Sequence, residues 1–217
     1  NLKTQTTSYL DIDTSDEHYL TNLSWTPDEK YVLVAEINRG QNHYWYNRYN
    51  VETGKKVNTL FEETNDKWTE PEFDAVFIPK STTNFLWFSE RDGFMNLYQY
   101  TTEGKLVKQL TNFKWVVTGI LGFDTSGKNV FITGTSQDAR ETHTFKVNIK
   151  TGKYIKLTTE NGTHNTQLNS NGNYLIDSYS NLNTPNTTKI ITTKNGKTNV
   201  IYTAENPLKD YNLGTTE

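Results

Sequence analysis

Apolar and polar positions alternate along most of this chain, in short runs broken by turn-forming residues. Trp45-Tyr46-Asn47-Arg48-Tyr49-Asn50-Val51, Met95 to Tyr100 and Thr144 to Ile149 carry the alternation, and a period of two residues is that of a half-buried β-strand. More continuously apolar runs lie at Tyr31 to Ala35, Phe85 to Phe88, Asn129 to Thr133 and Tyr174 to Tyr179. Each alternating strand leads into a Gly-Lys pair, at Gly54-Lys55, Gly104-Lys105, Gly152-Lys153 and Gly196-Lys197. Another strand follows, as at Leu106 to Leu110 and Tyr154 to Leu157. Two strands joined by a glycine turn are a hairpin.

The Gly-Lys pairs recur at intervals of roughly 44 to 50 residues, the spacing of four-stranded propeller blades. A second marker precedes each of them: Trp25-Thr26-Pro27-Asp28, Phe77-Ile78-Pro79-Lys80, Phe123-Asp124-Thr125-Ser126-Gly127-Lys128 and Leu168-Asn169-Ser170-Asn171-Gly172-Asn173. All are an apolar strand end followed by turn residues, after which the apolar strand resumes. The repeating unit is therefore strand, turn, strand, loop, strand, glycine turn, strand, which is one blade of a β-propeller. The expectation is an all-β chain of about four four-stranded blades, at residues 18–65, 66–112, 113–160 and 161–203. Residues 1–12, with Leu2-Lys3-Thr4 before Thr7 to Leu10, read as outer strands of a truncated preceding blade, so the chain is expected to be cut from a larger ring.

Composition sharpens this picture by exclusion. Hydrophobic residues make up only 33% of the 217, yet aromatics reach 13%, and aromatics in periodic order distinguish a β-rich fold from a disordered chain. Lys and Arg number 22 against 25 Asp and Glu, a net charge of −3. That supplies no electropositive footprint for nucleic acid. No apolar run approaches the roughly 18 residues of a membrane-spanning helix. With no cysteine, disulfides and thiolate metal sites are excluded. No signal peptide is recognisable and the first residue is Asn, so a mature or excised piece is expected.

Candidate chemistry is sparse. Gly134-Thr135-Ser136-Gln137-Asp138 lacks the second glycine of a nucleophile elbow and no helical pattern follows it, so Ser136 is expected in a blade-edge turn. His18, His43, His143 and His164 form no i, i+4 pair and sit in no nearby carboxylate motif. They are expected in ordinary polar roles at strand ends rather than as metal ligands. Ser89-Glu90-Arg91-Asp92-Gly93-Phe94 is the most charged turn. It reads as a hairpin turn in which Glu90 and Arg91 pair locally, or as charge displayed toward a central channel. Lys67-Trp68-Thr69-Glu70-Pro71-Glu72-Phe73-Asp74 sets acids among aromatics on a loop entering a blade. Its carboxylates can hold an ammonium group flanked by rings, or it is a Pro-bounded loop with solvated acids. No catalytic residue, metal site or cofactor is assigned.

A family resemblance lies in the same residues. His18-Tyr19-Leu20, Leu23-Ser24-Trp25-Thr26-Pro27-Asp28 and Asn38-Arg39-Gly40-Gln41-Asn42-His43 resemble the N-terminal propeller of the dipeptidyl peptidase IV family, bacterial type. Trp87-Phe88-Ser89-Glu90-Arg91-Asp92-Gly93-Phe94 with Leu97-Tyr98, and Gln109-Leu110-Thr111 leading to Trp115-Val116-Val117, are similar to further runs of that family. The resemblance covers nearly the whole chain. It implies half of an eight-bladed propeller that caps an α/β-hydrolase domain in serine exopeptidases of the prolyl oligopeptidase clan, which release N-terminal Xaa-Pro dipeptides. Residues 204–217 then resemble the exit toward that absent domain, and the family's paired glutamates lie upstream of Asn1. Relatives place an aromatic and a basic residue on the loop at Trp68 to Asp74, bordering the extended substrate pocket. This loop has no Arg; Phe73 is the implied wall residue, with Glu70, Glu72 and Trp68 as alternatives.

The resemblance also implies a peptide substrate shared with the missing hydrolase domain, a homo-oligomeric parent, and export to the periplasm or outer surface. Hydrolysis by this chain alone is not expected. The rival expectation is a stand-alone four-bladed propeller that binds a protein or glycan, with Trp45, Trp68 and Trp115 stacking on sugars instead of filling space between blades.

Overall fold

The computed structural model describes residues 3–13, 15–211 and 214. Its described residues contain no helix and 16 strands, arranged as four antiparallel four-stranded sheets. The first sheet is β1 (His18–Trp25), β2 (Tyr31–Asn38), β3 (His43–Asn50) and β4 (Lys56–Thr64). The second is β5 (Val76–Phe77), β6 (Asn84–Ser89), β7 (Asn96–Thr101) and β8 (Leu106–Gln109). The third is β9 (Val117–Phe123), β10 (Asn129–Gly134), β11 (His143–Asn148) and β12 (Tyr154–Lys156). The fourth is β13 (Thr163–Leu168), β14 (Tyr174–Asn181), β15 (Thr184–Thr192) and β16 (Thr198–Thr203). Each sheet is a meander in chain order, so the chain is a partial β-propeller of four blades. Two compact units divide it, Asn1–Asn112 and Phe113–Glu217.

The two markers of the repeat are the first and third of the three hairpin turns in each sheet. The four Gly-Lys turns all hold their glycine at positive φ, between 70° and 88°, a region closed to most side chains. At Gly54 the demand is steric as well, because a Cβ there would lie 2.1 Å from the Tyr9 carbonyl oxygen. The other marker closes β1 to β2 and its counterparts, with Thr26 N–H bonded to Tyr31 O at 3.0 Å and Asp124 N–H to Asn129 O at 3.1 Å.

In the first unit, β2 is apolar from Tyr31 to Ala35 because both of its faces are covered there. Leu33, Ala35 and Ile37 join Tyr44, Tyr46 and Leu60 of their own sheet against Phe85, Trp87, Tyr98 and Tyr100 of the next. Val32, Val34 and Tyr49 take Leu10, Ile12 and Val51 on the opposite face. Trp87 is fully buried and donates its indole N–H to the Tyr44 hydroxyl at 3.0 Å, which satisfies the polar end of a large apolar ring.

Described residues 3–13 form no strand. Asp11 N–H bonds Gly54 O at 2.8 Å, and this segment lies along the first sheet. The expectation of outer strands there includes residues 1 and 2, which lie outside the described residues. So do residues 212, 213 and 215–217 of the expected exit segment.

In the second unit the two sheets meet over a smaller apolar cluster of Phe131, Leu157, Leu175 and Ile191, with Leu121 and Leu168 beside it. Polar groups complete the seam. Thr142 and Thr163 form a parallel bridge, and the Thr144 and Thr166 hydroxyls are 2.6 Å apart. The last strand, β16, is exposed at all six positions.

Candidate functional site

The loop between β4 and β5 is built by local turn chemistry and then pinned at both ends. Asn65 Oδ1 accepts the Lys67 N–H at 2.9 Å, a side-chain turn that starts the loop. Asn65 and Thr69 N–H then reach the carbonyls of Asn42 and Gln41 at 2.9 and 2.7 Å. At the other end Asn22 Nδ2 donates to Phe73 O at 2.8 Å, and Ser24 Oγ accepts the Ala75 N–H at 3.0 Å. The segment between those anchors faces Tyr19, Leu20 and Ile37 across a groove of about 690 Å³, with Trp68, Glu70 and Glu72 on the loop side.

Of the four residues singled out on this loop, three therefore border one groove, and Trp68 is 60% exposed there. Phe73 is elsewhere: its ring stacks on Phe88 with centroids 4.0 Å apart, which fixes the loop's exit against β6. Two carboxylates beside an exposed indole suit a cationic group, held by charge and by the ring face. Arg39, on the β2–β3 turn, is not among the groove's lining residues. It lies over the Tyr19 ring at 5.5 Å, bonds the Tyr19 hydroxyl and pairs with Glu17 at 3.5 Å.

The Ser89 to Phe94 turn is a hairpin turn, but its charges pair differently from the expectation. Arg91 bonds Glu63 on the neighbouring sheet, not Glu90, and also donates to Ser89 Oγ at 2.9 Å and Tyr100 OH at 2.8 Å. Burial opposes the guanidinium charge, yet Glu63, Tyr100 and Tyr44 together outweigh it and hold the Arg91 pKa above its ordinary value. Glu63 is 26 residues from Ser89, to which it also bonds at 2.8 Å. The pairing follows from the sheets being neighbours, which local spacing does not register.

Against expectation, three of the four histidines meet a carboxylate. His18, His43 and His143 stand at the starts of β1, β3 and β11; His43 lies 2.9 Å from Glu62, and the side chains of His143 and His164 are fully enclosed, each against its own carboxylate. His143 Nε2 lies 2.8 Å from Glu141 and Nδ1 lies 3.1 Å from Thr158 Oγ1. Burial is the main reason its pKa falls below the usual value, with Lys156 and His164 adding to it. His164 has Asp177 at 2.8 Å on Nδ1 and the Glu160 carbonyl at 2.8 Å on Nε2. Lys189, 1% exposed, lies 3.6 Å from Asp177 and bonds the Glu160 carboxylate. Glu141 was two residues from His143 in plain view; Asp177 becomes a partner only because β13 pairs with β14.

Ser136 lies just before a bend at Gln137 and Asp138, with φ 64° and no helix after it. The tryptophans divide. Trp115 is buried against Phe113 and Phe145, Trp45 is half-buried against His43, and Trp68 stands exposed. Among the described residues no group of three or more His, Asp or Glu is placed to hold a metal. No helix is long and apolar enough to cross a membrane.

Known proteins answer to this architecture. The sequence profile of the dipeptidyl peptidase IV (DPP IV) N-terminal region matches residues 1–186. A dipeptidyl peptidase 4 of Arthroderma otae is 28% identical over 142 residues, covering 63% of this chain and 18% of that protein. A crystal structure assigned as a dipeptidyl aminopeptidase IV of Bacteroides ovatus superposes with a TM-score of 0.87 at 35% identity, over 97% of this chain and 33% of that one. The dipeptidyl peptidase 4 of Porphyromonas gingivalis shares the fold, with a TM-score of 0.81 at 22% identity over 94% of this chain and 29% of that one. The chain thus spans a third or less of the length of each of these relatives. Over most of its length, with four blades in place, the chain belongs to the dipeptidyl peptidase IV N-terminal region family.

Proposed function

We propose that this chain is the non-catalytic propeller region of a dipeptidyl peptidase IV-like serine exopeptidase, where it gates and positions peptides for release of N-terminal Xaa-Pro dipeptides. The observation that carries the reading is the groove at the β4–β5 loop, an exposed indole and two carboxylates opposite an apolar strand. A surface of this kind holds an extended peptide by ring contact and favours a cationic side chain or terminus. Its role is orientation. Fixed side chains away from the reacting bond reduce the freedom a substrate must lose on the way to the transition state. The hydrolase chemistry belongs to a domain outside this chain, and the parent is an exported, oligomeric enzyme.

The test uses the whole gene product. Purified full-length protein should cleave a Gly-Pro chromogenic substrate, and Glu70→Gln with Glu72→Gln should raise KM for peptides carrying a nearby Lys or Arg by about fivefold, the equivalent of ~1 kcal/mol, with kcat unchanged. Residues 1–217 alone should show no cleavage that follows the protein through gel filtration. A KM for cationic peptides that is the same in the double variant as in the wild type would remove the groove from substrate binding. Retention of the protein on a glycan array through Trp68 would point to a carbohydrate-binding propeller.

A further inference from the structure

The first strand breaks its ladder just where it faces the groove loop. The register of β1 against β2 shifts between Thr21 and Ser24, and Asn22 within that bulge has φ 52°. A bulge re-aims the side chains it carries and is costly enough to call for a reason. Asn22 and Ser24 are both 7% exposed, turned away from solvent toward the end of the loop. Asn22 Nδ2 meets Phe73 O at 2.8 Å and Ser24 Oγ meets Ala75 N–H at 3.0 Å. Tyr46 OH braces both, 3.3 Å from Ser24 Oγ and 3.4 Å from Asn22 O.

The other half of the Asn22 amide is informative. Its Oδ1 is buried and has no hydrogen-bond partner. A buried acceptor without a partner costs stability, whereas asparagine tolerates the positive φ. A side chain selected for stability alone would avoid the orphaned oxygen, whereas one needed for its single donated bond tolerates it. We propose that Asn22 is a positioning residue: its amide holds the Phe73 carbonyl and so sets the angle at which Glu70 and Glu72 stand over the groove. The geometric part stands on the bonds above, and its kinetic consequence rests on the peptide-binding reading of the groove.

Asn22→Gly and Asn22→Asp separate conformation from hydrogen bonding. Glycine adopts positive φ freely and aspartate tolerates it, while neither can donate to Phe73; aspartate adds an anionic oxygen facing the carbonyl. In the full-length protein, hydrogen exchange in residues 66–75 should speed up about tenfold in Asn22→Gly and further in Asn22→Asp, with exchange in β2 and β3 unchanged. KM for peptides that reach the groove should rise about fivefold and kcat should hold. Wild-type protection of residues 66–75 in both variants overturns the inference. Should Asn22→Asp fail to fold, the glycine variant alone decides, because it removes the bond without adding strain. Faster loop exchange with every KM unchanged upholds Asn22 as the loop's anchor and defeats the peptide-binding reading instead.

Discussion

The two units solve one problem, the joining of adjacent sheets, with different chemistry. In the first unit the seam is aromatic: Tyr46 and Trp87 have centroids 4.3 Å apart, Phe61 and Tyr100 4.2 Å, and two ion pairs, Arg91 with Glu63 and Arg48 with Glu103 at 2.7 Å, flank the rings. In the second unit the apolar contact is small, and Asp177, Lys189 and His164 are buried beside it. Large rings gain through area and dispersion, terms that are indifferent to pH. A buried set of charges holds only while every member keeps its partner. The same blade repeat therefore carries a tolerant seam in one unit and a conditional one in the other.

The sharpest way to break this contrast is Asp177→Ala, which leaves Lys189 and His164 enclosed without their carboxylate. It should cost about 3–5 kcal/mol, read by equilibrium denaturation, and replacing Asp177, Lys189 and His164 together by Leu, Met and Leu should recover most of that loss. If the single variant cost under 1 kcal/mol, the charge set would be no keystone. Trp87→Phe attacks the other seam more gently. It removes the indole volume and the bond to Tyr44, for about 1–3 kcal/mol, and should show no dependence on pH between 5 and 8.

Acid should then distinguish the units without any mutation. His143 has a lower pKa in the fold than its ordinary 6.5, so the folded chain binds that proton less readily than the unfolded one. Its contribution is intact above pH 6.5 and is lost as the pH falls through the folded value. For Glu160, burial opposes the charge but Lys189 outweighs it and draws the pKa down to about 2 from 4.5, so its contribution is intact above pH 4.5 and fades toward pH 2. On the first unit's seam Tyr44, Tyr100 and Arg91 move upward from values of 10 or more, and Glu103, hydrogen-bonded to Arg48, moves down from 4.5, so none of these four titrates between pH 7.5 and 5. Hydrogen exchange at pH 7.5 and 5 should therefore show β11, which carries His143, loosening in acid while β2, β3 and β6 hold, with β13 to β15 following only below pH 4.5; equal loosening would dissolve the comparison. The smallest effect belongs to Arg140→Ala, whose pairing with Asp138 is on the surface with Arg140 84% exposed, and equilibrium denaturation should show no measurable change.

The blade repeat was legible because it is local. The Gly-Lys turn and the strand flanking it lie within a few residues of each other, and their chemistry names the hairpin directly. The apolar run of β6 likewise announced Phe85 and Trp87 as core. What local reading missed are pairings between strands distant in sequence: Arg91 with Glu63, His164 with Asp177, Asn22 with Phe73. Each needs the register of two sheets or of a sheet and a loop. The groove loop stands between these cases, since Trp68, Glu70 and Glu72 could be picked out by type, whereas Phe73 looked like a wall and is an anchor.

The exposure of β16 has a practical consequence for anyone handling this chain in isolation. Thr198-Asn199-Val200-Ile201-Tyr202-Thr203 is six residues without charge or proline, open along its length, which is the profile of a segment that templates cross-β stacking. Concentrated preparations should grow thioflavin-positive fibres seeded from this strand. A lysine in place of Ile201 would act as a gatekeeper, keeping the protein in solution by making each added strand repel the last.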